Sequence, residues 1–343
     1  MKALITGGSG YFGSLLVKKL LMKGWDCKVF DLNTYDGNKS VQFLKGDIRD
    51  YDDVMSACEE IDVVFHNVAQ VPLAKNKDLF DSVNNLGTEN ILKACSNSGV
   101  KKIIYTSSSA VYGIPSINPV NEEMLPVPQE SYGLAKYNAE KLCKEFVSDK
   151  LDVIIVRPRT ILGHGRLGIF QILFEWIKEG KNIPVLGRGD NVYQFIHADD
   201  LADAIIICSN SNINSGIYNC GSEHYSTMRE TLENLCRYAG TGSKVKNIPF
   251  KPAVIGMNIF SFLGFIPLGS YHSLMYGRSM YFDISKAKKE LGWQPKYSSD
   301  DMFKQSYDWY CQNRETILSS SSTGSHHQSK VKQGALGVLS KLL

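Results

Sequence analysis

The chain has 343 residues, is 43% hydrophobic and 21% charged, and carries a formal net charge of +3. It is long enough to bury a full core, as one large domain or two lobes, and its composition is that of an ordinary globular protein. A charge so close to zero gives no reason to expect a nucleic-acid partner. The eight cysteines are scattered without a CxxC pair, a pattern of reduced packing thiols rather than of disulfides or a zinc site, so no metal is expected.

Ala3–Thr6 is an apolar run that starts at once, leaving no room for a signal peptide, and a cytoplasmic location is expected. Gly7-Gly8-Ser9-Gly10-Tyr11-Phe12-Gly13 follows, and then apolar residues at helical spacing (Phe12, Leu15, Leu16, Leu20) up to Gly24, placed to end the helix. Strand, glycine turn and helix in this order suit the pyrophosphate of a dinucleotide. Gly7 permits the turn, Gly10 lets backbone approach phosphate, and Gly13 lets the helix pack against the strand. The helix N-terminus would face the anion. The spacing is Gly-x-x-Gly-x-x-Gly rather than G-x-G-x-x-G. Cys27–Asp31 reads as the next strand, and Asp31 stands where a carboxylate binds the adenosine ribose hydroxyls. Such a carboxylate repels a ribose phosphate, so NAD is favoured over NADP. The plainer reading of Asp31 is a turn former.

Further strands are expected at Gln42–Leu44, Val63–His66, Lys102–Thr106 and Val153–Val156. Helical patterns lie at Asp50–Ala57, Leu79–Ser96 and Tyr132–Val147. This alternation predicts an α/β fold, a Rossmann-type doubly wound parallel sheet whose ligands sit beyond the carboxyl ends of the strands. Beyond Pro158 the alternation loosens. Residues 1–160 plus 191–221 are read as the NAD-binding domain, and 161–190 plus 222–315 as a smaller mixed α/β substrate lobe. Residues 316–343 are read as a flexible tail, introduced by the serine run 319–322. Ala253–Gly269 is apolar but short and interrupted, which suits a buried helix or lid. Lysines among apolar residues in 330–343 leave open a weak membrane or partner contact through the tail.

Tyr132-Gly133-Leu134-Ala135-Lys136 puts a phenol and an ammonium on one helix face. The lysine charge is expected to lower the phenol's pKa and to hold a nicotinamide ribose. The spacing recurs at Tyr35/Lys39 and Tyr137/Lys141, so spacing alone does not single out Tyr132. The strand end Thr106-Ser107-Ser108-Ser109 does, because a serine there can hydrogen-bond the oxygen whose proton the tyrosine moves. Capping is the commoner use of such serines.

With these motifs the chain resembles the extended short-chain dehydrogenase/reductases, or NAD-dependent epimerase/dehydratases, from residue 1 to about 315. The resemblance is also carried by Gly46-Asp47-Ile48-Arg49-Asp50, His66-Asn67-Val68-Ala69, Asn84-Asn85-Leu86-Gly87-Thr88, Val111-Tyr112-Gly113, Arg157-Pro158, His197–Ala202 and Asp283–Trp293. It implies an enzyme in which Ser108, Tyr132 and Lys136 form a hydride-transfer triad. It also implies that Asp47 and Ile48 contact adenine, that Val68 and Ala69 line the cofactor, and that Asn84 orders the active site. A homodimer is common in the family.

Two substrate classes stay open. A nucleotide-sugar, with 4-epimerase chemistry, is favoured. Ser109-Ala110 stand where 4,6-dehydratases usually carry Asp-Glu, which disfavours dehydration. The alternative is a lipid or steroid hydroxyl oxidised as by the 3β-hydroxysteroid dehydrogenases. It is supported by Arg157-Pro158-Arg159-Thr160 in place of an aromatic-Asn pair, by Gln194 where an arginine is common, and by the apolar 253–269 stretch. Arg159, Arg166, Arg188 and Arg278 could each meet a diphosphate.

Overall fold

The computed structural model describes residues 1–70, 79–166, 170–252, 255 and 277–319. Its centre is a seven-stranded sheet. The strands are β1 (Lys2–Thr6), β2 (Asp26–Asp31), β3 (Gln42–Lys45), β4 (Val63–His66), β5 (Lys102–Thr106), β6 (Asp152–Pro158) and, late in the chain, β10 (Ser215–Cys220). They lie in the order β10-β6-β5-β4-β1-β2-β3, and every pairing is parallel. The order reverses between β1 and β4, so Thr6 and His66 end side by side at the topological switch point.

Both faces are covered. One carries α1 (Tyr11–Met22), α6 (Ala198–Asn210) and α8 (Ser285–Leu291); the other carries α2 (Tyr51–Cys58), α3 (Gly87–Ser98) and α4 (Ser131–Glu145). Strand side chains alternate between the two layers, as the twofold pleat requires. Ala3, Ile5, Val63, Phe65, Ile104, Ile154 and Val156 enter the first core. Leu4, Val64, Ile103, Tyr105, Val153 and Ile155 enter the second. Double burial is why the strands read as continuous apolar runs.

A third core joins α5 (Phe170–Lys178), α7 (Met228–Ala239) and α9 (Ser299–Ser319). Two small parallel ribbons belong to this region: β7 (Thr160–Leu162) with β9 (Phe195–His197), and β8 (Ile183–Leu186) with β11 (Val245–Ile248). β9 lies within 191–221, the stretch read with the NAD-binding domain, and pairs with β7 rather than with a strand of the central sheet. In one place the structure differs from the sequence reading. Residues 316–319, assigned to the tail, form the last turn of α9, where Ile317 is buried. The remaining tail residues, and Ala253–Gly269 apart from Ile255, lie outside the described residues. Among the described residues no helix is long and apolar enough to cross a membrane.

One buried pair ties α4 to the sheet. Glu140 accepts from Arg157 through Nε at 2.8 Å and through Nη2 at 2.5 Å, and the side chains are 0% and 1% exposed. Ser107 Oγ also donates to Glu140, at 2.5 Å, and Arg157 Nη1 donates to Tyr112 Oη at 2.6 Å. The phenol of Tyr112 is bonded in turn to Asn219 on β10. Breaking such a pair from one side strands a buried charge, at a cost of about 3–5 kcal/mol. Glu140→Ala should lose stability of that order in urea unfolding. Glu140→Met with Arg157→Met should recover much of it, and a double variant no better than the single would sink this account.

Candidate active site

The carboxyl ends of β1, β2, β4 and β5 present the groups marked out in sequence. Gly7 turns the chain at φ +71°, with its N–H donating to Phe30 O at 2.9 Å. A Cβ on Gly13 would lie 2.1 Å from Gly7 O, so only glycine lets α1 start this close to the turn. Gly8 has the same constraint from Val29, 2.7 Å from its virtual Cβ, a requirement the fingerprint spacing did not express. The first turn-to-helix bond runs from Ser14 N to Gly10 O. The amides of Tyr11, Phe12 and Gly13 therefore precede the helical ladder and can meet an anion. Asp31, ending β2, accepts from Ser9 N at 3.1 Å and from Asn33 N at 2.9 Å. This places its carboxylate at the rim of the glycine turn. The cradle fits a dinucleotide: a close backbone turn, free amides, and an acid one strand away.

A buried network sets the next strand. Thr88 Oγ1 donates to Asn84 O at 2.6 Å, so its hydroxyl proton is spent and it accepts from His66 Nε2 at 3.1 Å. His66 Nδ1 is then the acceptor for Thr6 Oγ1 at 2.8 Å. Burial holds this imidazole neutral, with its pKa down to about 3. Thr6 Oγ1 also accepts from the N–H groups of Asn67 at 3.2 Å and Val68 at 3.4 Å, which fixes the segment carrying Val68 and Ala69. Asn84 lies in a π-helical turn, Phe80–Leu86, that runs directly into α3. Its amide clasps the backbone of Gln70, accepting at 2.7 Å and donating at 3.3 Å. It orders the loop through backbone contacts, and its side-chain amide is thereby occupied. Asp47 holds Arg49, while Ile48 is buried beneath Gly87.

Tyr132 sits in the first turn of α4, capped by Glu130, whose carboxylate accepts from Tyr132 N at 2.8 Å and Gly133 N at 2.6 Å. Ser108 acts on its phenol, lowering the pKa. Ser108 lies two residues beyond β5, in extended backbone, and accepts from Ala110 N at 3.1 Å. Lys136, one turn on, is 2% exposed and donates from Nζ to Thr106 O at 2.7 Å, above the Tyr105 ring. The third residue of the same face is Glu140. Gly133, not singled out in the sequence, makes the approach possible: a Cβ there would lie 2.4 Å from Ala110 O. Tyr137 and Lys141 pair with each other, ring to ammonium at 5.2 Å, and Tyr137 packs against the first core.

The electrostatics correct one expectation. Lys136 does not pull the phenol down in the ligand-free protein. Burial pushes Tyr132 up to about 12, opposed by the influence of Ser108 and by the charge of Arg166. Burial also pulls Lys136 down to about 7, against the raising effect of Cys143 and Glu140. Desolvation is the largest cause of both shifts. Arg166 is brought there by the Gly163–Arg166 turn, pinned to α1 by Tyr11 Oη donating to His164 O at 3.1 Å, and it lies over the Tyr11 ring. Nothing in the sequence linked Arg166 to Tyr132, because the two are joined by tertiary packing.

The other marked residues separate. Arg188 is 82% exposed and pairs with Asp190, and Arg278 is exposed. Gln194 is a buried clamp, donating to Ser222 O at 2.7 Å and accepting from Phe282 N at 2.9 Å. His164, His197 and Asp199 bring potential ligand atoms within 4.8 Å. Both His197 nitrogens are already spent, on Asp199 N and on Gln305.

The model of the NAD dependent epimerase/dehydratase family matches residues 3–221. The uncharacterized protein y4nG of Sinorhizobium fredii is 53% identical over 339 residues, covering 98% of this chain and 85% of its own. Human sterol-4-alpha-carboxylate 3-dehydrogenase, decarboxylating, is 24% identical over 331 residues, covering 88% of this chain and 86% of its own. Among solved structures, UDP-glucuronic acid 4-epimerase from Bacillus cereus, in complex with NAD, superposes with a TM-score of 0.75 at 23% identity, over 91% of this chain and 99% of that one.

Two measurements probe this geometry. In the ligand-free protein one lysine ammonium should titrate near 7 by NMR, and Lys136→Met should remove that transition. Because the folded value lies below the unfolded 10.5, Lys136 contributes stability at high pH that is lost as pH falls through about 7. A Lys136 that titrates like an exposed lysine contradicts its burial. Gly133→Ala should force α4 off the Ser109–Tyr112 turn, costing about 1–3 kcal/mol and lowering kcat more than NAD affinity. Unchanged kcat would mean that this approach does not set the Tyr132–Ser108 geometry.

Proposed function

The chain belongs to the NAD dependent epimerase/dehydratase family, and on that footing we propose that it acts on a carbinol of a nucleotide-sugar, with 4-epimerase-like chemistry and Tyr132 as the acid/base. The observation that carries this reading is the conjunction at the end of β5: Ser108 acting on the Tyr132 phenol, and Lys136 docked one turn away on Thr106 O. NAD, when bound, supplies the site that accepts and returns hydride.

The glycine turn and the α1 amides from Gly7 to Gly13, with Ser9, Tyr11 and Phe12, would hold the pyrophosphate. Asp31 would take the adenosine ribose, Asp47 and Ile48 the adenine, and Val68 and Ala69 the nicotinamide half. Asn84 acts through its clasp on Gln70. Lys136 and Tyr132 would hold the nicotinamide ribose. Tyr132 takes the carbinol proton and returns it, while Ser108 hydrogen-bonds the same oxygen. A phenol near 12 is protonated at neutral pH. Ser108 and the Arg166 charge are the features that draw it towards phenolate, which general-base work needs.

The second reading is oxidation of a sterol-like alcohol, favoured by the human dehydrogenase's similarity along 88% of this chain. That protein and the Bacillus cereus epimerase share, by name, a carboxylate on the molecule they act on.

Tyr132→Phe should lower turnover by a factor of about 10²–10⁴ and leave NAD binding within about twofold. Full activity in the variant rejects the assignment. The NAD content of purified protein separates the two readings. Near-stoichiometric, tightly held NAD supports an enzyme that returns hydride within one turnover. A site that exchanges NAD freely supports the dehydrogenase.

A further inference from the structure

Arg159 and Arg157 stand two residues apart at the end of β6, and both are 1% exposed. They solve the problem of burial differently. Arg157 fills the side-on fork of its guanidinium, Nε and Nη2, with the carboxylate of Glu140. Arg159 has the same fork, and among the described residues both of its atoms are buried with no hydrogen-bond partner. Its remaining nitrogen, Nη1, donates to Ser109 Oγ at 2.9 Å. Its planar face lies over the Tyr193 ring, 4.5 Å from the centroid, with Phe282 at 5.6 Å. Among the described residues Arg159 joins no ion pair. A guanidinium cannot shed its proton, so this is a buried positive charge held by aromatic faces and one hydroxyl. Such an arrangement costs folding stability unless an acceptor arrives.

The position of the fork says what could arrive. Ser109, which holds Arg159, directly follows Ser108, which acts on the phenol of Tyr132. The geometry points to Arg159 as the receptor for a carboxylate carried by the substrate close to the carbinol that reacts. This rests on the placement of that carbinol at Tyr132 proposed above. Two parallel N–H donors match the two oxygens of one carboxylate, as Glu140 shows on Arg157 in the same structure. One positive charge also neutralises one monoanion, whereas a diphosphate would bring a second, unmatched charge. The substrate class is thus a hydroxy acid: a uronic-acid nucleotide, or a carboxylated lipid alcohol on the second reading. The fork is closed to solvent, so its desolvated donors bond strongly to a carboxylate that reaches them.

The test is equilibrium binding to the NAD-loaded protein with two matched pairs: UDP-glucuronic acid against UDP-glucose, and 3-hydroxydodecanoate against its methyl ester. The acid should bind at least tenfold more tightly than its neutral partner in one pair. Arg159→Met should bring that ratio to about one without changing NAD content, and Arg159→Lys, which keeps the charge but loses the fork, should recover only part of it. Ligand-free Arg159→Met should also melt at a higher temperature than the wild type, because an unmatched charge has been removed; an arginine with a purely structural role would give a lower one. Equal binding of acid and neutral ligand, binding of none of the four, or equal loss of UDP-glucose and UDP-glucuronic acid in Arg159→Met (a diphosphate contact) overturns the inference. Binding does not require turnover. An acid preference in Tyr132→Phe therefore upholds the Arg159 inference even if the epimerase reading fails, and turnover of a neutral sugar without acid preference upholds only the latter.

Discussion

The buried contact between Glu140 and Arg157 is the constraint on which the site depends. Tyr132, Lys136 and Glu140 follow one another at helical turns along one face of α4. The last of them is fixed to β6 by two charge-assisted hydrogen bonds and to Ser107 by a third. The same carboxylate therefore sets the rotation of the helix and the position of the strand end that carries Ser108. Gly133 sets the distance, by letting the first turn of α4 touch Ala110 O. Rotation and distance together place the phenol near Ser108. In a low-dielectric interior a fully hydrogen-bonded pair of this kind is costly to break, so it holds a unique arrangement.

Around this frame the protein buries charge with little compensation. Lys136 rests on a carbonyl oxygen and an aromatic face, and its affinity for a proton drops. Arg159 rests on a hydroxyl and two rings. Arg166, which is only partly buried, also acts on Tyr132 through its charge. His66 is kept neutral and serves as a spacer between Thr6 and Thr88. The expense appears as desolvation, visible in the displaced acidities of Tyr132 and Lys136.

Loops beyond the sheet also meet the site through particular atoms. The turn at Gly163–Arg166 reaches the glycine turn through Tyr11 and His164. The π-helical turn at Phe80–Leu86 sends Asn84 to the backbone of Gln70, and Phe80 lies 6.3 Å from the Tyr132 ring, edge to face. π-Helical turns often mark functional positions, and this one presents both Asn84 and Phe80 to the site.

The sequence by itself determined the sheet and its use. Strands buried on both faces must be apolar throughout, and a turn tight enough for Gly7 and Gly13 must be glycine, so both features are written locally. The motifs at Asp31, Ser108, Tyr132 and Lys136 were legible for the same reason, since each lies at a strand end or on one helix face whose periodicity fixes its direction. What required tertiary structure was every property that depends on a distant partner. The Lys136 charge was expected to govern the phenol, but burial by α4, β5 and their neighbours governs both groups. β9 belongs to a stretch read with the NAD-binding domain, yet it pairs with β7 outside the central sheet. Arg157 and Arg159 are indistinguishable in sequence, two arginines flanking a proline. Only the packed fold gives one of them a carboxylate and leaves the other without, because the partner, Glu140, is supplied by a different element.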